Sequence, residues 1–106
     1  MHLEIGDGRD ISLADSEPVT FQPGRWHHAT VVVDIVSGKA TFYFDGRDVT
    51  LQPATRRDPM LSGALGFGAI LGREKHVFPG ALNDIRLYAR ALSPAEIAAL
   101  AAGSAD

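Results

Sequence analysis

Residues 29–46 read ATVVVDIVSGKATFYFDG, and this stretch decides the fold class. Apart from Val32, apolar and polar side chains largely alternate in both halves, and the inward set is Ala29, Val31, Val33 and Ile35 followed by Ala40, Phe42 and Phe44. Alternation with a period of two predicts two strands that each bury one face. Ser37-Gly38 lies between them and predicts a turn. The stretch is therefore predicted to form an antiparallel hairpin.

The β pattern extends on both sides of this hairpin. Asp45-Gly46 predicts a tight turn, because both residue types tolerate positive φ, and Val49-Thr50-Leu51 predicts a short third strand. Residues 53–62 are predicted to form a surface loop, and residues 65–69 a strand interrupted by glycine. From Gly80 to Ala89 the alternation returns and predicts a closing strand, with Asp84, Arg86 and Tyr88 on its outward face.

The C-terminus carries the signals of a short helix. Ser93 is predicted to be the N-cap, Pro94 occupies the first helical position, and Glu96 completes a capping box. Gly103 is placed to end the helix. The predicted fold is all-β, an antiparallel sandwich with this helix lying against it.

Length and composition narrow the function classes. The 106 residues make a single domain, 1–106, long enough to bury a core, and no apolar run approaches the length that crosses a bilayer. Ten Lys and Arg against 13 Asp and Glu give a net charge of −3, which argues against nucleic-acid binding. The chain has no cysteine, so disulfides, thiolate zinc sites and cysteine nucleophiles are excluded.

No catalytic motif is present, and no predicted strand carries two carboxylates on one face, so the chain is not expected to be an enzyme. The adjacent His27 and His28 should point to opposite sides and therefore cannot share one metal ion. Calcium fits the composition better than zinc, because oxygen ligands are available at Asp7, Asp10, Asp15, Asp34, Asp45 and Asp48. Turn aspartates need no metal, so metal occupancy stays open.

Three stretches resemble laminin G-like domains, the concanavalin A-like jelly rolls. They are GRWHHATVVVD at 24–34, YFDG at 43–46 and FPGALNDIRLYARALSPAEI at 78–97. The resemblance implies a two-sheet antiparallel sandwich with Trp26, Phe42 and Phe44 in its core. It also implies a noncatalytic binding or adhesion module, directed at glycans and belonging to a larger extracellular or cell-surface protein. Residues 1–7 lack the basic start and apolar stretch of a signal peptide, so this stretch is not expected to direct export.

Two departures from the family pattern matter. Asn83 stands where the family usually has Asp, and the family domain is usually longer, with additional N-terminal strands. A sandwich short of strands exposes apolar surface and unpaired edges. We therefore expect a truncated domain that associates with a second copy or with another segment of its parent protein. The rival expectation is a trimmed sandwich that closes on fewer strands, with residues 2–13 as its first hairpin.

Two functions follow. A glycan-binding module would use exposed aromatic rings beside polar side chains, and the candidate residues are Tyr88, Arg86, Asp84 and Tyr43. The alternative is a structural or protein-interaction module that self-associates through exposed strand edges. The expected partner is thus a glycan or a protein, and neither nucleic acid nor a membrane.

Overall fold

The computed structural model describes residues 1–6, 11–34, 37–52, 69–70 and 73–103. Within these ranges the strands are β1 (His2–Gly6), β2 (Ile11–Ser16), β3 (Ala29–Asp34), β4 (Lys39–Phe44), β5 (Arg47–Asp48), β6 (Thr50–Gln52), β7 (Ala69–Ile70) and β8 (Arg73–Val77). They form antiparallel sheets of order β1-β2-β6 and β3-β4-β5 and a separate β7-β8 pair. One helix, α1 (Pro94–Ala101), follows.

The hairpin predicted from residues 29–44 is confirmed. β3 pairs with β4 over six residues, from Ala29 opposite Phe44 to Asp34 opposite Lys39. The predicted turn at Asp45-Gly46 is also confirmed, with φ of 51° and 81°. It joins β4 to β5 as a two-residue loop, the geometry for which Asp-Gly is best suited.

Val49 joins the two sheets. Its amide donates to the carbonyl of Phe42 in β4 at 2.9 Å, and its carbonyl accepts from the amide of Glu17, just after β2, at 2.7 Å. The strand predicted at residues 49–51 is accordingly divided, because β5 pairs with β4 and β6 pairs with β2. Val49 is buried where the chain passes from one sheet to the other.

The core lies over β2 and β4. Its buried members are Ala14, Ala40, Phe42, Phe44 and Val49, with Met1, Leu3 and Val19 packed against them. The predicted first hairpin exists as β1 and β2 and continues to Ser16. Ser16 is buried but satisfied, since its hydroxyl accepts from the N-terminal amine at 2.5 Å and its amide donates to the Met1 carbonyl at 2.8 Å.

The predicted helix is confirmed at both ends. The Glu96 amide donates to Ser93 Oγ at 3.2 Å, and the Ser93 amide donates to Glu96 Oε1 at 3.0 Å, which is the reciprocal capping box. Gly103, with φ of 81°, follows the last helical turn. Ile97 is fully buried. The helix lies close to the β4–β5 turn, because a Cβ built on Gly46 would come within 3.2 Å of Ala101 Cβ.

The closing strand predicted from Gly80 to Ala89 is wrong. Residues 81–88 have no strand assignment and are exposed along their length. Asp84 has a φ of 54°, which is incompatible with a strand and breaks the extended conformation at the middle of the segment. Leu82, Ile85 and Leu87 are consequently left in solvent.

Burial on β3 also differs from the prediction. Val31 is 43% exposed and Ala29 is exposed, although both were expected to face inward. Their partners in β4, Phe42 and Phe44, are buried. The packed layer therefore covers this face of β4 but does not extend over Ala29 and Val31 in β3. Of the remaining predictions, the loop at 53–62, Leu65, Phe67 and Ile35 lie outside the described residues, and Ala69 belongs to β7.

Candidate ligand-binding site

An open cleft of about 470 Å³ lies beside the start of β3. Four parts of the chain form it: the residues before β3, the β4–β5 turn, the middle of segment 81–88 and the last turns of α1. Its lining consists of Arg25, Trp26, His27, His28, Asp45, Gly46, Asn83, Asp84, Ala98, Ala101 and Ala102. The lining therefore combines small alanines at the end of the helix with aromatic and charged side chains.

Asp45 connects two parts of the cleft lining, the β4–β5 turn and the residues before β3. Its Oδ2 accepts from His27 Nδ1 at 2.7 Å, and its Oδ1 accepts from the His28 amide at 2.8 Å. Its own amide donates to the His28 carbonyl at 2.8 Å. Partial burial raises the pKa of Asp45, but these hydrogen bonds outweigh it, and the net pKa lies below the ordinary value. Asp45 is thus an ionised carboxylate whose hydrogen bonds attach the β4–β5 turn to the residues before β3.

His27 has a structural role. The Gln22 amide donates to His27 Nε2 at 3.0 Å, so the ring proton is on Nδ1, from which it is donated to Asp45. The ring stacks on Phe44 with centroids 5.0 Å apart, and Phe21 meets it edge-on at 5.6 Å. Because both ring nitrogens are engaged, His27 has no free nitrogen for a metal or a ligand.

Trp26 is the largest departure from the predicted core. It is 66% exposed and lines the cleft. The inward position beside Phe44 is taken by His27, the next residue, so the indole of Trp26 is left on the solvent side. The sequence signal that could have identified this arrangement is the Trp-His-His run together with Asp45, the carboxylate that turns one histidine inward.

The predicted site residues Asp84, Arg86 and Tyr88 are brought together. Arg86 Nε and Nη2 donate to the two oxygens of Asp84 at 2.7 and 3.1 Å. This bidentate pair lowers the pKa of Asp84, and the Arg86 pKa is raised by its hydrogen bonds to Asp84 and Tyr88. Asp84 lines the cleft, so the group extends from the cleft along segment 81–88.

The fourth predicted residue, Tyr43, lies elsewhere. It is 8% exposed in β4, opposite Thr30 and Asp48, and does not line the cleft. Burial, and then the nearby Asp48 carboxylate, raise the pKa of its phenol. The expectation that Tyr43 offers an exposed ring face is therefore wrong, because its strand is covered on the side predicted to face solvent.

The described ranges contain neither a cluster of metal ligands nor a membrane-spanning helix. There, no three His, Asp or Glu side chains gather in a group that could hold a metal ion. Among the calcium candidates, Asp15 is paired with His2 and Asp48 accepts from the Thr50 amide at 2.9 Å, whereas Asp7 and Asp10 lie outside the described residues. In the same ranges, no helix has the length and apolar character needed to cross a membrane.

Comparison with known proteins agrees with the architecture. Residues 3–98 match a family described as the concanavalin A-like lectin/glucanases superfamily. An S-layer domain-containing protein from Clostridium thermocellum, solved as residues 221–444, superposes with a TM-score of 0.56 at 23% identity, over 87% of this chain and 45% of that one. The fold is therefore a concanavalin A-like β-sandwich, as predicted.

A human protein also shares sequence with the chain. Adhesion G protein-coupled receptor D2 is 32% identical over 94 residues, which cover 70% of this chain and 8% of the receptor. The chain thus corresponds to a small part of that receptor.

Proposed function

Because this chain belongs to the concanavalin A-like lectin/glucanases superfamily, we propose that it is a noncatalytic adhesion module that binds carbohydrate in the Trp26 cleft. The observation that carries the proposal is an exposed indole in an open cleft beside an ordered carboxylate–guanidinium pair. Membership of the superfamily supports the fold and the adhesion role, and the side chains of the cleft support the choice of a carbohydrate ligand.

Two features of the cleft support sugar binding. The apolar face of a pyranose ring packs on a flat aromatic surface, which Trp26 presents to solvent. Sugar hydroxyls need rigid acceptors and donors, and Asp84 is held by two bonds from Arg86 while its carboxylate keeps further lone pairs. A ligand would therefore meet a carboxylate and a guanidinium that already hold each other in place by two hydrogen bonds, which reduces the entropy cost of binding.

The protonation states support binding rather than hydrolysis. Glycoside hydrolysis needs one carboxyl group that stays protonated as the general acid, which requires a raised pKa. Among the described residues, the carboxylates that line the cleft are Asp45 and Asp84, and both have lowered pKa values. Neither would be protonated near neutral pH, so neither suits the role of general acid.

The location of the module follows from its proposed role. The human relative is by name an adhesion receptor, and an adhesion module acts where it meets glycans outside the cell. We infer that this chain is part of an extracellular or cell-surface protein.

The test uses Trp26 itself as the probe, because it is the only tryptophan in the chain. Oligosaccharides from a panel of plant, bacterial and animal glycans are titrated while the intrinsic fluorescence is followed. At least one should shift the emission, and Trp26→Ala should weaken its binding, measured calorimetrically, about tenfold or more.

The matched control is Leu51→Ala, which removes an equally exposed apolar side chain in β6, a strand that does not line the cleft. It should leave glycan affinity unchanged. A panel with no binder, or a bound glycan that Trp26→Ala retains at full affinity, would contradict the proposal.

A further inference from the structure

We propose that two copies of this chain associate through the outer edge of β3, as antiparallel strands related by a twofold axis at Val31. The inference goes beyond glycan binding and does not depend on it. It rests on the hydrogen bonding of β3, on the exposed apolar face of that strand, and on the match that its sequence makes with itself.

Among the described residues, the backbone groups at the outer edge of β3 have no partner strand. In an antiparallel ladder, residues that bond to the neighbouring strand alternate with residues whose N–H and C=O point away from it. The Asp45 amide bonds to the His28 carbonyl, so the bonded set continues through Thr30, Val32 and Asp34. Ala29, Val31 and Val33 therefore point to the outer edge, where no strand of the described residues pairs.

Two of these residues, Ala29 and Val31, have exposed side chains, and Val33 is half-buried. Val31 lies directly opposite Phe42 and shares its face of the sheet, yet Val31 is 43% exposed and Phe42 is 2% exposed. An exposed strand edge with an apolar face is a surface that pairs with another strand. A strand added beside β3 would satisfy the backbone groups and bury this face together.

The sequence of β3 is complementary to itself in one register. Several registers bring outward-pointing groups opposite each other, but one of them pairs all three outward residues, with Val31 facing Val31 of the second copy and Ala29 facing Val33 of that copy. This register also sets His28 opposite Asp34 of the second copy, once at each end. A twofold interface repeats each contact, so one His28–Asp34 pair lies at each end of an apolar centre.

Within the part of the chain that the structure describes, segment 81–88 is the competing occupant of this edge. Asp84 interrupts it with a φ of 54° and is held by Arg86, so the segment does not supply a regular strand of the length of β3. A second β3, which is regular over six residues, fits the edge better.

Light scattering over a wide concentration range tests the association, and an engineered disulfide tests the register. The chain has no cysteine, so a single introduced cysteine can only link two copies. Val31→Cys would place two Cα atoms about 5.5 Å apart across the axis, within disulfide range. In the control Val33→Cys the two Cα atoms would be about 14 Å apart, which is too far.

We expect a mass that rises to that of a dimer and a disulfide in Val31→Cys but not in Val33→Cys. A monomer at every concentration would overturn the proposal, and so would a dimer in which Val33→Cys links as well as Val31→Cys. A monomer that still binds glycan through Trp26 would refute the dimer and leave the proposed function standing.

A charge exchange provides a second test that leaves the apolar centre intact. His28→Asp sets two carboxylates opposite each other at both ends and should weaken dimerisation at least severalfold. Adding Asp34→Lys to that variant places opposite charges at both ends and should restore the dimer. If the double variant dimerises no better than His28→Asp alone, the register is wrong.

Discussion

Two neighbouring strands, β3 and β4, are paired residue for residue and have similar apolar patterns, yet only β4 is buried. We call β4, Val49, the Asp45-Gly46 turn and α1 the closed side of the molecule, and β3 with segment 81–88 the open side. On the closed side Phe42, Phe44 and Val49 pack against the core. On the open side Val31, Ile85 and Leu87 face solvent.

The difference between β3 and β4 shows that an alternating pattern identifies the apolar face of a strand but does not tell whether another part of the chain packs on that face. Ala29, Val31 and Val33 share the face of Ala40, Phe42 and Phe44, but Ala29 and Val31 are exposed, so the described residues leave the first half of β3 uncovered on this face. An apolar strand face without cover is characteristic of a surface that another chain or segment contacts.

The largest contrast should appear between the paired residues Phe42 and Val31. Phe42→Ala leaves a cavity in a close-packed core and should lower the free energy of unfolding by about 3–5 kcal/mol. Val31→Ala should cost less than about 1 kcal/mol in the monomer. Urea unfolding at a concentration where light scattering gives a monomer measures both, and equal losses would remove the distinction between the sides.

The turn on the closed side offers the next contrast. Gly46→Ala combines a positive φ with a Cβ that meets Ala101 Cβ at 3.2 Å and Ala98 Cα at 3.4 Å, and should cost about 1–3 kcal/mol. Gly24→Ala is the control, since its φ is 75° but nothing lies within 4 Å of the added Cβ. The excess cost at Gly46, measured by thermal unfolding, reports the packing of α1 on the turn.

The helix cap should give a pH-dependent contrast. Two hydrogen bonds from Arg90, at 2.6 and 3.0 Å, and the Ser93 amide lower the pKa of Glu96 from 4.5 to about 2. A carboxyl group whose pKa is lower in the folded than in the unfolded state stabilises the folded state when it is ionised. This stabilisation is present above pH 4.5 and is lost as the pH falls towards 2.

Glu96→Gln should therefore lower the melting temperature at pH 7 and have a smaller effect at pH 2. Glu17→Gln, at an exposed position after β2, is the control and should change little at either pH. A difference between wild type and Glu96→Gln that stays constant from pH 7 to pH 2 would refute the role of the ionised cap.

The smallest effect is expected on the open side, at Leu87, which is 73% exposed. Leu87→Ala should change the free energy of unfolding by no more than about 0.5 kcal/mol. Had the closing strand formed as its alternation predicted, with Leu87 inward, the loss would be about 2–5 kcal/mol. Chemical denaturation distinguishes the two values, and the larger one would place segment 81–88 in the core.

Local signals explain which parts of the fold were predictable. The β3–β4 hairpin, the Asp45-Gly46 turn and the capped helix each depend on neighbouring residues, and all three were predicted correctly. The strand at 80–89 was not, because a strand also needs a partner, and its pattern carries no information about whether one is present.

The candidate site shows the same limit. Asp84, Arg86 and Tyr88 were predicted to lie together, and they do, although an αL residue rather than a regular strand brings Asp84 and Arg86 into contact. Trp26 was assigned to the core and Tyr43 to the surface, and the structure reverses both. Burial of an aromatic ring depends on layers contributed by distant parts of the chain, which alternation along one strand does not report.

Residue-resolved amide hydrogen exchange along β3 tests the central claim, that the edge of this strand is open in a single chain. At dilutions where the chain is a monomer, the amides of Val31 and Val33 should exchange rapidly, while those of Thr30 and Val32, bonded to β4, should be protected. Protection of Val31 and Val33 should appear only as the concentration rises. If these two amides are protected at every dilution, another part of the same chain covers the edge, and the account of an open side is wrong.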